Sequence, residues 1–135
     1  MTTDKQKNLK TLIVDDESLA RRGLIHRLKN IEDIEIVGEA CNGREALQLI
    51  EEMNPDLVFL DIQMPGVSGF DVVQRLDVET MPIILFLTAY DEYAVRAFEV
   101  NALDYILKPI DEDRLHQVLD KVRANLSQKR ALKHK

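Results

Sequence analysis

The chain has 135 residues, enough for one domain, with 45% hydrophobic and 31% charged residues, an ordinary globular balance. Its net charge of −6 is unevenly spread: residues 1–120 hold all 24 acids and 12 bases, for −12, whereas 121–135 hold no acid and six bases (Lys121, Arg123, Lys129, Arg130, Lys133, Lys135). A collagen-like or low-complexity chain, a disulfide scaffold (Cys41 is the single cysteine) and a basic nucleic-acid module are excluded, the last because phosphate repels an acidic body.

In chain order, the N-terminal MTTDKQKNLK lacks the apolar stretch of a signal peptide, and residues 1–8 read as an extension. A first strand is predicted at Leu12–Val14 and ends in Asp15-Asp16, then Glu17. Leu24, Leu28 and Ile31 have helical spacing. A second strand is predicted at Ile34–Val37. Cys41 reads as a small buried residue rather than a reactive thiol. Asn42-Gly43 marks a turn before a second helix carrying Ala46, Ile50 and Met53, which Asn54-Pro55 ends because the residue before proline disfavours helix.

Leu57–Leu60 and Ile83–Leu87 are the longest clean apolar runs, far short of a membrane span and suited to strands covered on both faces. The first leads into Asp61, Ile62 and Gln63, then a Met64-Pro65-Gly66 turn; the second leads into Thr88-Ala89. A fifth strand is predicted at Leu103–Leu107, followed by Lys108-Pro109. Asp111 stands where a helix N-cap belongs, and Glu112 and Asp113 suit the positive end of a helix dipole. Leu115, Val118, Leu119, Val122 and Leu126 form one stripe of the last helix, whose basic end, 127–135, reads as a linker. Five alternating strands and helices imply an α/β fold, a parallel sheet wound on both faces.

In such sheets the ligand site lies beyond the C-terminal strand ends. Here that edge collects Asp15, Asp16, Asp61, Thr88 and Lys108. Clustered carboxylates need compensation, and an all-oxygen set suits Mg²⁺. A strand-end carboxylate can attack phosphorus, and Lys108 and Thr88 would then meet the phosphoryl oxygens.

The motifs "LIVDDE", "DLVFLDIQMPGVSGFDVV", "IILFLTAYD" and "ALDYILKPI" resemble the CheY-like receiver domain of two-component response regulators over residues 9–126. The resemblance implies a flavodoxin-like (βα)5 three-layer sandwich with sheet order 2-1-3-4-5. It implies that Asp61 is the phosphoacceptor. Asp16 would bind Mg²⁺ directly, Asp15 partly through water, and Asp61 and the Gln63 backbone carbonyl would complete the set. Thr88, Ala89 and Lys108 would hold the phosphoryl group. Tyr105 would be the aromatic switch, turning into space vacated by Thr88, and Lys108-Pro109 would be a cis peptide. Gln63 and Tyr90 would tune hydrolysis. The donor would be a sensor histidine kinase or phosphotransfer protein, because His26, His116 and His134 read as surface residues.

On this reading the protein is cytoplasmic and is no enzyme beyond self-phosphorylation and slow autodephosphorylation. It would form a homodimer, when phosphorylated, through the face of the fourth helix, fifth strand and fifth helix. Tyr93, Arg96, Phe98, Asp104 and Tyr105 are placed there, with an Arg96–Asp104 pair across the dimer as one option.

The stretch "DEYAVRAFEVNALDYILKPID" resembles receivers that precede a LytTR-type DNA-binding domain, so DNA would be reached only through a domain absent from this chain. A single-domain receiver acting as a phosphotransfer or protein-interaction adaptor is the alternative. A haloacid-dehalogenase-like phosphatase would want an Asp where Gln63 stands, and an FMN phosphate would be repelled by Asp15-Asp16-Glu17. A receiver-shaped scaffold that takes no phosphate is opposed by the intact acid set.

Overall fold

A computed structural model describes residues 8–133. In chain order the elements are β1 (Leu9–Val14), α1 (Ser18–Leu28), β2 (Ile34–Ala40), α2 (Gly43–Met53), β3 (Leu57–Asp61), α3 (Gly69–Gln74), β4 (Ile83–Thr88), α4 (Ala94–Glu99), β5 (Asp104–Leu107) and α5 (Glu112–Lys133). Residues 1–7 of the expected extension, His134, Lys135 and the side chains of Phe98, Arg130 and Lys133 lie outside the described residues. α5 runs unbroken past residue 126, where the linker is expected to begin.

All strand pairs are parallel, in the order β2-β1-β3-β4-β5. Because side chains alternate across a strand, each central strand feeds two cores. Val58 and Leu60 of β3 and Ile84 and Phe86 of β4 pack with Ala46 and Ile50 of α2, Phe70 and Val72 of α3 and Ala97 of α4. Leu57, Phe59, Leu85 and Leu87 point the other way, toward Leu24 and Leu28 of α1 and Leu115, Val118, Leu119 and Val122 of α5. This is the expected three-layer sandwich.

Local chemistry starts and stops the helices. The Asn42 side chain accepts the Glu45 N–H at 2.8 Å, capping α2, and Asn54 closes it in the left-handed region at φ 48°. Ser68 and Asp71 exchange hydrogen bonds in a capping box at α3. Asp111 accepts the Arg114 N–H at 2.9 Å, as its predicted N-cap role requires.

Two expectations need correction. Ile31 lies beyond α1, in a turn where its N–H reaches the Leu28 carbonyl, so its apolar spacing marks packing on the core rather than one more helical turn. Cys41 is exposed, not buried; the inward position at the end of β2 belongs to Ala40. A hydrogen bond with Glu45 holds the Cys41 thiol above its ordinary pKa. His26 and His116 are exposed, as expected. Among the described residues no helix is long and apolar enough to cross a membrane.

Candidate functional site

Parallel strands bring their C-terminal ends to one edge, and the sheet order decides which ends are neighbours. Asp61 is the last residue of the central strand β3, Asp15 follows β1 on one side, and Thr88 ends β4 on the other. Lys108 follows β5, one strand further out. Its long side chain crosses that gap: Nζ lies 2.8 Å from Asp15 Oδ2 and 3.6 Å from Asp61 Oδ1. Oxygens of Asp15, Asp16 and Asp61 all lie within 4.8 Å of one another. The structure therefore brings Asp15, Asp16, Asp61 and Lys108 into one cluster.

The three acids differ in what they have left to offer. Asp15 is buried; its Oδ2 takes Lys108 and its Oδ1 takes the Glu17 N–H at 3.0 Å. Asp16 is exposed. Asp61 is buried, and burial first, then the charge of Asp15 and, less, of Asp16, push its pKa up to about 7 against the pull of Lys108. Burial alone would lower the Lys108 pKa, but the Asp15 hydrogen bond and the two acid charges carry it above its ordinary value, so the ammonium stays charged. One ammonium among three carboxylates leaves negative charge uncompensated. A small divalent cation held by oxygen fits that donor set, with Asp16 and Asp61 better placed than the doubly engaged Asp15 to bind directly.

Thr88 is buried, and its hydroxyl accepts the Tyr90 N–H at 3.0 Å, so it is engaged with its own loop. Its carbonyl accepts the Lys108 N–H at 2.7 Å, tying the ends of β4 and β5 together. Ala89 and Tyr90 follow on the exposed loop. Gln63 is exposed, and its side-chain amide reaches the Tyr93 hydroxyl at 3.4 Å. The Tyr90 and Tyr93 rings meet edge to face at 6.1 Å. The Lys108-Pro109 bond is cis, as expected.

Tyr105 and Asp104 are organised within the chain. Asp104 is buried; Arg114 and Lys121 of α5 reach its two oxygens at 2.8 and 3.1 Å. Arg96 lies 4.3 Å over the Phe70 ring. An Arg96–Asp104 pair between two copies would have to displace these contacts.

Sequence reading missed Gly69. A Cβ there would lie 2.5 Å from the Asp61 carbonyl oxygen and 2.9 Å from Ile62 Cα, so only glycine lets α3 start this close to Asp61. The signal that locates it is the capping box beginning at Ser68. Gly69→Ala is expected to cost about 1–3 kcal/mol, read by urea denaturation, because the atoms it strikes are backbone.

Comparison with known proteins agrees with this geometry. The family described as "Response regulator receiver domain" matches residues 11–120. The chain belongs to that family. Its receiver domain is 53% identical over 119 residues to the transcriptional regulatory protein BtsR of Escherichia coli (strain K12), covering 88% of this chain and 50% of that protein. An uncharacterized response regulatory protein of Shewanella oneidensis is 53% identical over 116 residues, covering 86% of this chain and 49% of that protein. The receiver thus spans about half the length of the curated relatives it matches. Among solved structures, the response regulatory domain of protein mrkE from Klebsiella pneumoniae superposes with a TM-score of 0.80 at 37% identity, covering 89% of this chain and 99% of that one. The REC domain of AraT from Geobacillus stearothermophilus gives 0.80 at 35%, covering 90% and 98%.

Proposed function

We propose that this receiver takes a phosphoryl group from a sensor-kinase phosphohistidine onto Asp61, with Mg²⁺, and so controls a transcription-regulating output. The observation that carries the reading is the crowding of Asp15, Asp16 and Asp61 around the single ammonium of Lys108. Asp16, Asp61 and the Gln63 backbone carbonyl would hold the ion, with Asp15 acting through water. Bound there, Mg²⁺ supplies charge neutralisation for the acids and for the phosphoryl oxygens.

An Asp61 carboxylate oxygen forms the new bond to phosphorus as the donor's N–P bond breaks, and the departing imidazole takes a proton from solvent. Lys108 keeps its charge beside the new acyl phosphate. The Thr88 hydroxyl leaves the Tyr90 N–H for a phosphoryl oxygen, with Ala89 at the same loop start. Tyr105 then turns into the space released. A partner preferring that arrangement shifts the equilibrium toward it. The face of α4, β5 and α5 is the proposed dimer surface.

The LytTR-type output is supported by the stretch from Asp91 to Asp111 and by the length of the relatives, which carry the name "Transcriptional regulatory protein". A cytoplasmic site of action follows from a kinase donor. The deciding experiment is intact mass after incubation with acetyl phosphate and Mg²⁺, with and without Asp61→Asn.

By resemblance Gln63 and Tyr90, each two residues beyond Asp61 and Thr88 respectively, tune hydrolysis, and the bulk of Tyr90 would hinder an attacking water. The phosphoryl half-life is therefore expected on the order of minutes to hours, followed by loss of the mass increment after donor removal. A half-life of seconds with Mg²⁺ present would defeat this expectation.

A further inference from the structure

Tyr105 is held on three sides by groups that the phosphoryl chemistry does not use. Its N–H donates to Asp104 Oδ1 at 2.8 Å. Its carbonyl accepts from Arg114 Nη2 at 2.8 Å, and the same nitrogen donates to Asp104 Oδ1 at 2.8 Å. The Arg114 guanidinium carbon stands 5.3 Å from the centre of the Tyr105 ring, within reach of cation–π attraction. One flat cation thus touches the backbone, the ring and the buried acid beside it.

The position of Arg114 makes the arrangement more telling. It is the third residue of α5, after Glu112 and Asp113, which suit the positive end of the helix dipole. A cation in that turn is unfavourable for the helix itself. Nor does neutralising Asp104 require Arg114 to cover the ring, since Lys121 also reaches that acid. What Arg114 adds to that charge is its hold on Tyr105, at the carbonyl at 2.8 Å and at the ring at 5.3 Å.

We propose that Arg114 is a positioning residue that holds the Tyr105 ring in its resting orientation and thereby restrains the uptake of phosphoryl by Asp61. The inference rests on the phosphoacceptor reading and deepens it. The ring contact coexists with the Thr88 hydroxyl held by the Tyr90 N–H, and a turn of the ring toward Thr88 would break it. A group that binds one state better shifts the equilibrium toward that state, so removing it favours the other.

Arg114→Lys keeps a positive charge near Asp104 but loses the flat face and the forked donors. The Tyr105 ring resonances should shift in the NMR spectrum before any donor is added. The initial rate of phosphoryl gain from acetyl phosphate and Mg²⁺, read by intact mass, should rise about five-fold, the order of one cation–π contact. Arg114→Gln should move both readouts at least as far. Lys121→Gln removes the other cation from Asp104; it should lower the unfolding midpoint yet leave the ring resonances and the rate alone.

Unmoved resonances and an unchanged rate in both Arg114 variants overturn the proposal. So does an equal rate increase in Lys121→Gln, which would assign the effect to charge at Asp104. Absence of any mass gain in the unaltered chain overturns the phosphoacceptor reading and this inference with it, whereas a gain in that chain with an indifferent Arg114 overturns this inference alone.

Discussion

Incubated with acetyl phosphate and Mg²⁺, the unaltered chain is expected to gain the mass of one phosphoryl group, and Asp61→Asn to gain none. The asparagine amide keeps nearly the same shape but lacks the anionic oxygen that attacks phosphorus. Asp15 is less available, because it is buried and each of its oxygens already accepts a hydrogen bond, from Lys108 and from the Glu17 N–H. Asp16 is exposed and lacks the close approach of Lys108 that Asp61 has at 3.6 Å. Replacing the three histidines should leave the mass gain intact; His26 and His116 are exposed residues of α1 and α5 rather than strand-end residues. A mass gain that persists in Asp61→Asn would move the acceptor elsewhere; steady turnover of an unrelated phosphate ester would point to a phosphatase instead.

Asp61→Asn is also expected to stabilise the metal-free chain, and only above mildly acid pH. In the folded chain the Asp61 pKa is pushed up from 3.8 to about 7, by burial first and then by Asp15. A raised folded pKa means that, between about pH 4 and 7, the folded chain keeps a proton that the unfolded chain has lost. Stability therefore falls as pH rises through that window, and the penalty is fully present above pH 7. At about 1.4 kcal/mol per pKa unit, the rise from 3.8 to about 7 corresponds to about 4 kcal/mol.

Asparagine removes the penalty and forfeits some attraction to Lys108, which Asp15 still holds at 2.8 Å. In chelator at pH 8 the unfolding midpoint of Asp61→Asn should lie roughly 5–15 °C above that of the unaltered chain, and at pH 4 the difference should vanish. Added Mg²⁺ should raise the unaltered chain most at pH 8 and much less at pH 5, where the proton competes for Asp61. Thermal unfolding at these pH values checks all of this. A variant less stable than the unaltered chain at pH 8 would mean that the attraction to Lys108 outweighs the crowding.

Much of this architecture is legible along the chain, most clearly where burial is complete. Leu57–Leu60 and Ile83–Leu87 announce β3 and β4 because both faces of those strands are covered. β2 is harder: it lies at the sheet edge, Glu35 and Glu39 interrupt its apolar pattern, and the strand runs to Ala40 rather than Val37. Ile31 shows helical spacing yet packs from a turn, since a core accepts any residue that reaches it. Cys41 misleads because its class is usually buried, whereas the strand before it has already turned Ala40 inward. Gly69 and Arg114 escape a linear reading altogether: the first matters for how closely α3 approaches Asp61, the second for what lies across the β5–α5 corner.

By itself the sequence determined which residues stand at the strand ends. Alternation and turn residues define the strands, and parallel strands joined by right-handed crossovers must present their C-terminal ends on one edge. Asp15, Asp16, Asp61, Thr88 and Lys108 are therefore readable as a set. Only the tertiary structure decided how they share charge. Lys108 and Asp15 are 93 residues apart in the chain and 2.8 Å apart in space, and Asp61 is raised because burial and Asp15 outweigh that same lysine. Local patterns encode which way a side chain points. Electrostatic energy depends on separation and on access of water, and both are set only when distant segments pack.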